Sequence, residues 1–374
     1  MMRPFSRKLT SWRLLFAEEK SYRFASILAW GRNVEGQCGQ LPSDSVLEPQ
    51  KIKRFDVLGE VTDVAAGRQH SAAILSSGEM YTWGSGSCGK LGHSDNAGNC
   101  CVPTLVGSLA ARKVKVSGAA LGQHHSLVVD GEGRLHGFGE NKEGQCGLGT
   151  PLELLARQQR QEWSALTDPT ASIENRIGFG QIRTPTPIPR GTTTHQTSPG
   201  GDEEESGELG SRKVDQASAS TYFSIAKTAD GEVWTCGAGF LGELGHAKTW
   251  SPAFCQVAGG LRESLRQRGG ATSIAAGGTF AVALTAEGQA LVWGQLGTSH
   301  GAETMEAETP FNVVGTPSSQ ALTAVAAGRL HALVSDGCRV WAFGKGALGT
   351  GGGGEHTQIE LTAKHPGLLP LRPP

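Results

Sequence analysis

No C-x-x-C pair occurs among the eight cysteines, no run of 18 apolar residues occurs anywhere, and neither sign of charge prevails. Each absence removes a class of protein. Without paired cysteines there is no signature of a zinc ribbon or a dithiol redox site, and the scattered thiols read as the reduced cysteines of an intracellular protein. Without a long apolar run there is no candidate membrane-spanning helix, and no stretch has the layout of a secretory signal. A net charge of −1 gives no whole-chain signal for nucleic acid. None of the glycine-rich segments ends in Gly-Lys-Ser/Thr, so no phosphate-cradling P-loop is present. No cofactor is implied.

Glycine is in excess, at 54 of 374 residues, roughly twice the usual share. The glycines follow no three-residue period, which excludes collagen. They obey a longer one. A Gly following an aromatic residue or Cys stands at Trp30-Gly31, Trp83-Gly84, Phe138-Gly139, Cys236-Gly237, Trp293-Gly294 and Phe343-Gly344. The intervals are 53, 55, 98, 57 and 50 residues, the 98 being one repeat plus an insertion. Upstream of the last five lies an apolar segment ending at Gly67, Gly122, Ser220, Gly277 or Gly328, and three residues later stands His70, His125, Phe223, Phe280 or His331. A turn dipeptide comes next: Ser77-Gly78, Glu132-Gly133, Asp230-Gly231, Glu287-Gly288, Asp336-Gly337.

One unit therefore reads as a strand ending at the small residue, a second strand starting at the His or Phe, a tight x-Gly hairpin, and a third strand running into the aromatic-Gly. A glycine-rich loop follows, such as Gly144-Gln145-Cys146-Gly147-Leu148-Gly149. A Pro-bearing segment such as Pro103-Thr104-Leu105-Val106 then suits an outermost edge strand. Four short strands repeated at this period predict radially stacked sheets.

Ala65-Ala66-Gly67 with His70-Ser71, then Trp83-Gly84 and Gly89-Lys90-Leu91-Gly92-His93, resembles the regulator of chromosome condensation repeat; Gly242-Glu243-Leu244-Gly245-His246 repeats the last element. The resemblance covers about residues 25–350. It implies an all-β fold, a β-propeller of about six to seven four-stranded blades, incompletely closed if the repeats seen are all there are. Members of this family usually close a ring of seven by letting the last strands complete the first blade. Here six aromatic-Gly hairpins have only five copies of the preceding strand pair, and His365-Pro366-Gly367-Leu368-Leu369-Pro370 cannot supply an ordinary strand pair. Either the ring is small or open, or the sequence is incomplete.

The expected organisation is a basic arm over 1–22, a propeller over 23–362 and a tail over 363–374. The third repeat is interrupted by irregular inserts at 151–181, whose first part (151–166) has the N-cap and Pro of a short helix, and at 191–213, a polar stretch that reads as disordered. Residues 1–17 hold Arg3, Arg7, Lys8 and Arg13 but no acid, and Phe5, Leu9, Trp12 and Phe16 share one helical face. That fits a mitochondrial presequence; a disordered arm or an irregular first strand fits too. The location is then cytoplasmic or mitochondrial.

Candidate catalytic residues are scarce. His70, His125 and His331 occupy a repeat position where other copies have Phe223 and Phe280, so packing explains them. Cys38 and Cys146 share the slot of Leu91 and Leu244, as small core residues do. The positions after the small residue, namely Arg68, Gln123, Thr221, Gly278 and Arg329, are expected to meet near the propeller axis. Some members of the family sense light through tryptophans there, and none of these five is Trp. Arg68, Gln123, Thr221 and Arg329, with the acidic run Glu203, Glu204 and Glu205, are the candidate partner contacts; no catalytic, cofactor or metal residues are assigned. The resemblance implies a non-catalytic protein-binding scaffold. The alternatives are guanine-nucleotide exchange on a small GTPase, since the founding member of the family acts so and also carries an insert in its third blade, or a fragment of a larger protein such as a ubiquitin ligase. The residues beyond 350 are too few for a catalytic ligase domain.

Overall fold

The computed structural model describes residues 14–17, 26–93, 98–149, 181–188, 209, 212–295, 311–314, 321–344 and 357–359. Among these residues six antiparallel sheets follow one another along the chain. Blade 1 comprises β1 (Leu14–Ala17), β2 (Ser26–Asn33) and β3 (Ser43–Lys51). Blade 2 comprises β4 (Val61–Ala66), β5 (His70–Leu75), β6 (Met80–Gly84) and β7 (Cys100–Leu105), and blade 3 comprises β8 (Val116–Leu121), β9 (His125–Asp130), β10 (Leu135–Glu140) and β11 (Gln181–Pro187). Blade 4 contains β12 (Val214–Ala219), β13 (Phe223–Thr228), β14 (Val233–Ala238) and β15 (Trp250–Gln256). Blade 5 contains β16 (Ala271–Ala276), β17 (Phe280–Thr285), β18 (Ala290–Gly294) and β19 (Phe311–Val314). Blade 6 contains β20 (Ala324–Ala327), β21 (His331–Ser335), β22 (Val340–Gly344) and β23 (Thr357–Ile359). The first strands β4, β8, β12, β16 and β20 pack in succession, each beside the next. This is a propeller.

The blade count corrects the sequence expectation. Five blades have four strands, not six to seven. In the first sheet β2, which carries Trp30-Gly31, holds the third-strand position and β1 the second, and among the described residues no further strand lies inside β1. Among the described residues no sheet combines strands from the two ends of the chain; β23 joins β22 within blade 6.

The repeated glycines have identifiable conformational work. Gly78, Gly133, Gly231, Gly288 and Gly337 close the hairpins at φ between +75° and +92°. In blade 2 the Leu75 N–H donates to Glu79 O (2.9 Å) and the Gly78 N–H to Leu75 O (2.8 Å), a three-residue loop ending in the left-handed region. The aromatic-Gly glycines also take positive φ, and in blades 1 to 4 they sit where this strand shifts register against the outermost one, between Thr82 and Gly84 in blade 2. A Cβ on Gly84 would lie 2.5 Å from Gln69 O, so the repeat signature marks a bulge that permits close approach of backbone. Pro103, Pro185, Pro187 and Pro252 all lie in fourth strands, the sheet edges to which proline is confined.

The core lies between blades. The second strands β5, β9, β13 and β17 are buried at every residue, because each face meets a sheet, and Trp83, Trp234 and Trp293 are fully enclosed. Among the described residues three short helices connect blades: α1 (Phe55–Leu58), α2 (Gly107–Ala111) and α3 (Gly259–Gln267). The last buries Leu261 and Leu265 with Leu244, Val257 and Trp293. The helix expected over 151–166 and the tail 363–374 lie outside the described residues, as does the insert 191–213 apart from its end, where Leu209 is buried in the core and Arg212 pairs with Asp230 and Glu232, against the expectation of disorder there.

Candidate protein-binding face

The loops between first and second strands share a face with the loops that leave the third strands. Their backbones are tied within each blade: Ser85 N to Gln69 O (2.8 Å), Glu140 N to His124 O (2.9 Å), Ala238 N to Tyr222 O (2.9 Å) and Gln295 N to Thr279 O (2.7 Å). They are also tied from blade to blade. Arg68 N donates to Gly122 O (3.3 Å), Gln123 N to Ser220 O (3.1 Å) and Gly278 N to Arg329 O (2.9 Å), while the Ser220 hydroxyl donates to Gly277 O. The five axial positions read from the repeats thus stand on one chain of linked loops. Arg68 and Arg329 are exposed; Gln123, Thr221 and Gly278 are half-buried, and Thr221 Oγ1 donates to Gln123 Oε1 at 3.2 Å. Glu203, Glu204 and Glu205 lie outside the described residues.

A seam of side-chain bonds underlies this face. One carbonyl in each glycine-rich loop accepts from the following blade: Gln37 O from Trp83 Nε1 and Ser71 Oγ (both 2.9 Å), Lys90 O from Ser126 Oγ (2.7 Å), Gln145 O from Ser224 Oγ (2.7 Å) and Glu243 O from Trp293 Nε1 (2.8 Å). His70 Nε2 meets Ser126 Oγ at 2.9 Å and His125 Nε2 meets Ser224 Oγ at 2.7 Å. Those distances suit a nucleophile and its base, yet both pairs are sealed from solvent, with His125, Ser126 and Ser224 at 0% exposure. Each serine gives its proton to a carbonyl and so accepts from the imidazole, which joins one blade to the next. Burial, with His124 nearby, pushes His125 down to about 3, and burial holds His70 well below the usual histidine range. Cys38 and Cys146 are buried in the core slot.

Blade 2 departs from this pattern. In blades 1, 3 and 4 the residue bearing the seam carbonyl also uses its side chain: Gln37 Oε1 accepts from Glu35 N, Gln145 Oε1 from Glu143 N and Glu243 Oε2 from Leu241 N. Lys90 stands in that slot in blade 2 and has no acceptor to offer. Its fully buried ammonium donates to Gln123 O (3.3 Å), and Cys88, two residues earlier, takes a left-handed φ of +62°. The Cys88, His124 and Glu140 side chains come together there, a donor set able to hold a metal ion.

Sequence reasoning missed the apolar part of the face. Tyr222, Phe240 and Trp250 of blade 4 are 56%, 75% and 42% exposed, with Leu241 beside them. Their signal was available: Phe240-Leu241 replaces Val34-Glu35 and Lys142-Glu143 of the matching loops.

Sheets stacked round an axis and sealed by loop-to-carbonyl bonds define a β-propeller built for rigidity, with chemistry confined to its loops. Residues 26–74 and 77–129 match the regulator of chromosome condensation (RCC1) repeat. The chain is a divergent RCC1-repeat propeller. It is 26% identical over 344 residues to the ultraviolet-B receptor UVR8 of Arabidopsis thaliana, covering 88% of this chain and 75% of that one. It is 27% identical over 311 residues to the E3 ubiquitin-protein ligase HERC2 of Homo sapiens, 82% of this chain but 5% of the ligase. RUG3, a mitochondrial RCC1 domain-containing protein of Arabidopsis thaliana, is 26% identical over 84% of this chain and 60% of its own. Two solved structures share the fold: human WBSCR16 (TM-score 0.64, 17% identity, 89% of this chain and 78% of that one) and yeast RCC1 (Prp20) bound to Kap60 (0.65, 19%, 91% and 72%).

Proposed function

We propose that the chain is a non-catalytic protein-binding scaffold whose docking surface is the loop face carrying Arg68, Gln123, Thr221 and Arg329 together with Tyr222, Phe240 and Trp250. The observation that carries the reading is the exposed aromatic group of blade 4 on the same hydrogen-bonded chain of loops that carries exposed Arg68 and Arg329. Aromatic and arginine side chains dominate binding energy at protein interfaces, and a preorganised surface loses little entropy on docking. Among the described residues no helix is long and apolar enough to cross a membrane. A photocrosslinking residue placed at Phe240 or Arg329 is expected to trap a partner that the same residue at exposed Val57, away from these loops, does not. Equal trapping from Val57 would refute the assignment of this face.

Guanine-nucleotide exchange is the second reading. It rests on the long insertion between β10 and β11 and on the fold shared with yeast Prp20, another structure of which is described with its binding to Gsp1p and histones. Purified chain would accelerate release of labelled nucleotide from a small GTPase in this case; a stable complex without acceleration leaves the scaffold.

A mitochondrial location is supported by the basic, acid-free residues 1–17 and by the likeness to RUG3. Because Leu14–Ala17 is a strand of blade 1, a cleaved leader would have to end before Leu14 to leave that blade intact. Residues 1–30 fused to a fluorescent reporter would then direct it to mitochondria, whereas a diffuse signal would remove the location.

A further inference from the structure

We propose that Cys88, His124 and Glu140 form a zinc-type site at the junction of blades 2 and 3, binding a divalent transition metal through one thiolate, one imidazole and one carboxylate. The three donors come from two blades and three loops or strand ends: Cys88 from the glycine-rich loop of blade 2, His124 from the first loop of blade 3, and Glu140 from the end of β10. Their ligand atoms all lie within 4.8 Å of one another, and all three residues are half-buried. Around tetrahedral zinc, donor-to-donor distances are about 3.3–3.7 Å, so closing on an ion needs side-chain movements of about 1 Å. Three protein ligands leave the fourth position open.

The propeller does not require these residues here. The equivalent positions at the junction of blades 1 and 2 are Glu35, Gln69 and Ser85; at blades 3 and 4 they are Glu143, Tyr222 and Ala238; at blades 4 and 5 they are Leu241, Thr279 and Gln295. None of those junctions assembles three ligating side chains, though the backbone bonds are the same. The site junction is also where the loop is recast, with Cys88 held at φ +62°, a conformation disfavoured for any residue with a Cβ and found where a side chain must be aimed.

The surroundings suit the ion. A thiolate and a carboxylate supply two negative charges against two positive ones. Burial lowers His124, which keeps its imidazole neutral and a lone pair available near pH 7. Gln123 Nε2 lies 2.8 Å from His124 Nε2, where it can only donate; turning the amide over puts Oε1 there to accept the Nε2–H and lets the NH2 donate to Thr221 Oγ1, the accepting partner that outer shells of metal ligands supply, and leaves the other ring nitrogen for the ion. Three cations oppose the ion, of which Arg68 is exposed to solvent. Lys142 pairs with Glu140 at 3.2 Å and, being 60% exposed, can swing into solvent. Lys90 is fixed; burial and the Glu140 carboxylate push the Cys88 thiol up, and Lys90 and Lys142 offset them only in part, so the arriving ion has to displace the thiol proton.

The test uses the full chain, reduced and stripped of metal with a chelator, then titrated with Co(II) and with Zn(II). One equivalent of Co(II) should give tetrahedral visible bands and a thiolate charge-transfer band, both displaced by zinc. Cys88→Ser should abolish the charge-transfer band. His124→Gln and Glu140→Gln should each weaken binding at least about tenfold, while Cys338→Ser, at an exposed thiol outside the cluster, should change nothing. Should Cys88→Ser fail to fold, the other two variants decide the matter alone. No thiolate band in the wild type, or binding that survives His124→Gln and Glu140→Gln, would overturn the site.

Discussion

At the scale of single residues the repeat assigns unequal duties to residues of similar appearance. Gly84 sits at φ +104° with a backbone oxygen where a side chain would begin. Gly84→Ala should therefore cost about 2–4 kcal/mol in urea unfolding. A loss below 1 kcal/mol would mean that the bulge relaxes freely. His125 has the opposite profile. Its counterparts Phe223 and Phe280 fill the same slot, so His125→Phe should fold, losing the bond to Ser224 but keeping the volume. It also removes a titration. An unfolded imidazole takes up its proton near 6.5, whereas in the fold His125 does so at about 3. Between those values the unfolded chain binds more protons, so the stability is complete above about pH 6.5 and is lost as the pH falls towards 3, at up to about 1.4 kcal/mol per pH unit. Urea midpoints measured at several pH values through this range should fall less steeply for His125→Phe than for the wild type; parallel lines would show that the imidazole titrates normally. The burial slot was legible in the sequence because His and Phe alternate in it. The bond to Ser224 was not, since its partner lies 99 residues away. Cys88, His124 and Glu140 escaped for the same reason: metal spacing rules look along one segment, and these donors belong to two blades.

Among elements, those with their own local punctuation could be read. Five x-Gly hairpins and six aromatic-Gly dipeptides, four of them at bulges, placed the second and third strands, and prolines marked the outer ones. β1 could not be read, because residues 18–25 joining it to β2 contain no glycine and no small-residue-Gly segment precedes it. The four-stranded count failed with it, since among the described residues the first blade has three strands. The helix α3 was missed as well. Gly259-Gly260 reads as a loop, and Leu261 and Leu265 alone are too few to establish a helical period; packing against blades 4 and 5 stabilises it instead. Leu261→Ala should accordingly cost about 2–4 kcal/mol, while Arg262→Ala, on the exposed side of the same helix, should stay within about 0.5 kcal/mol. Equal effects of the two substitutions in chemical denaturation would mean that the helix contributes through its backbone and not through the buried leucine.

For the whole molecule the decisive feature is the row of blades. Each contacts its neighbours in sequence, so stability behaves approximately as a sum of blade and junction contributions. An inner blade has two junctions, and its second strand is buried on both faces, as β5, β9, β13 and β17 are. The terminal blades differ. In β21 fully buried residues alternate with half-buried ones, and β2 begins with the same alternation. One face of each is well covered and the other less so. Local opening should follow this asymmetry, because exchange at a backbone amide reports the least costly opening that frees it. Hydrogen exchange followed by mass spectrometry is expected to leave β9, β13 and β17 protected to the level of global unfolding, with β2 and β21 exchanging sooner. Protection of β21 equal to that of β13 would mean that blade 6 has a second neighbour covering it, and the row would then have to be a closed ring. A partner docked across the loop face would bind to several blades at once. It should therefore slow exchange in the terminal blades more than in the central ones, since only the former have openings short of global unfolding for the partner to suppress.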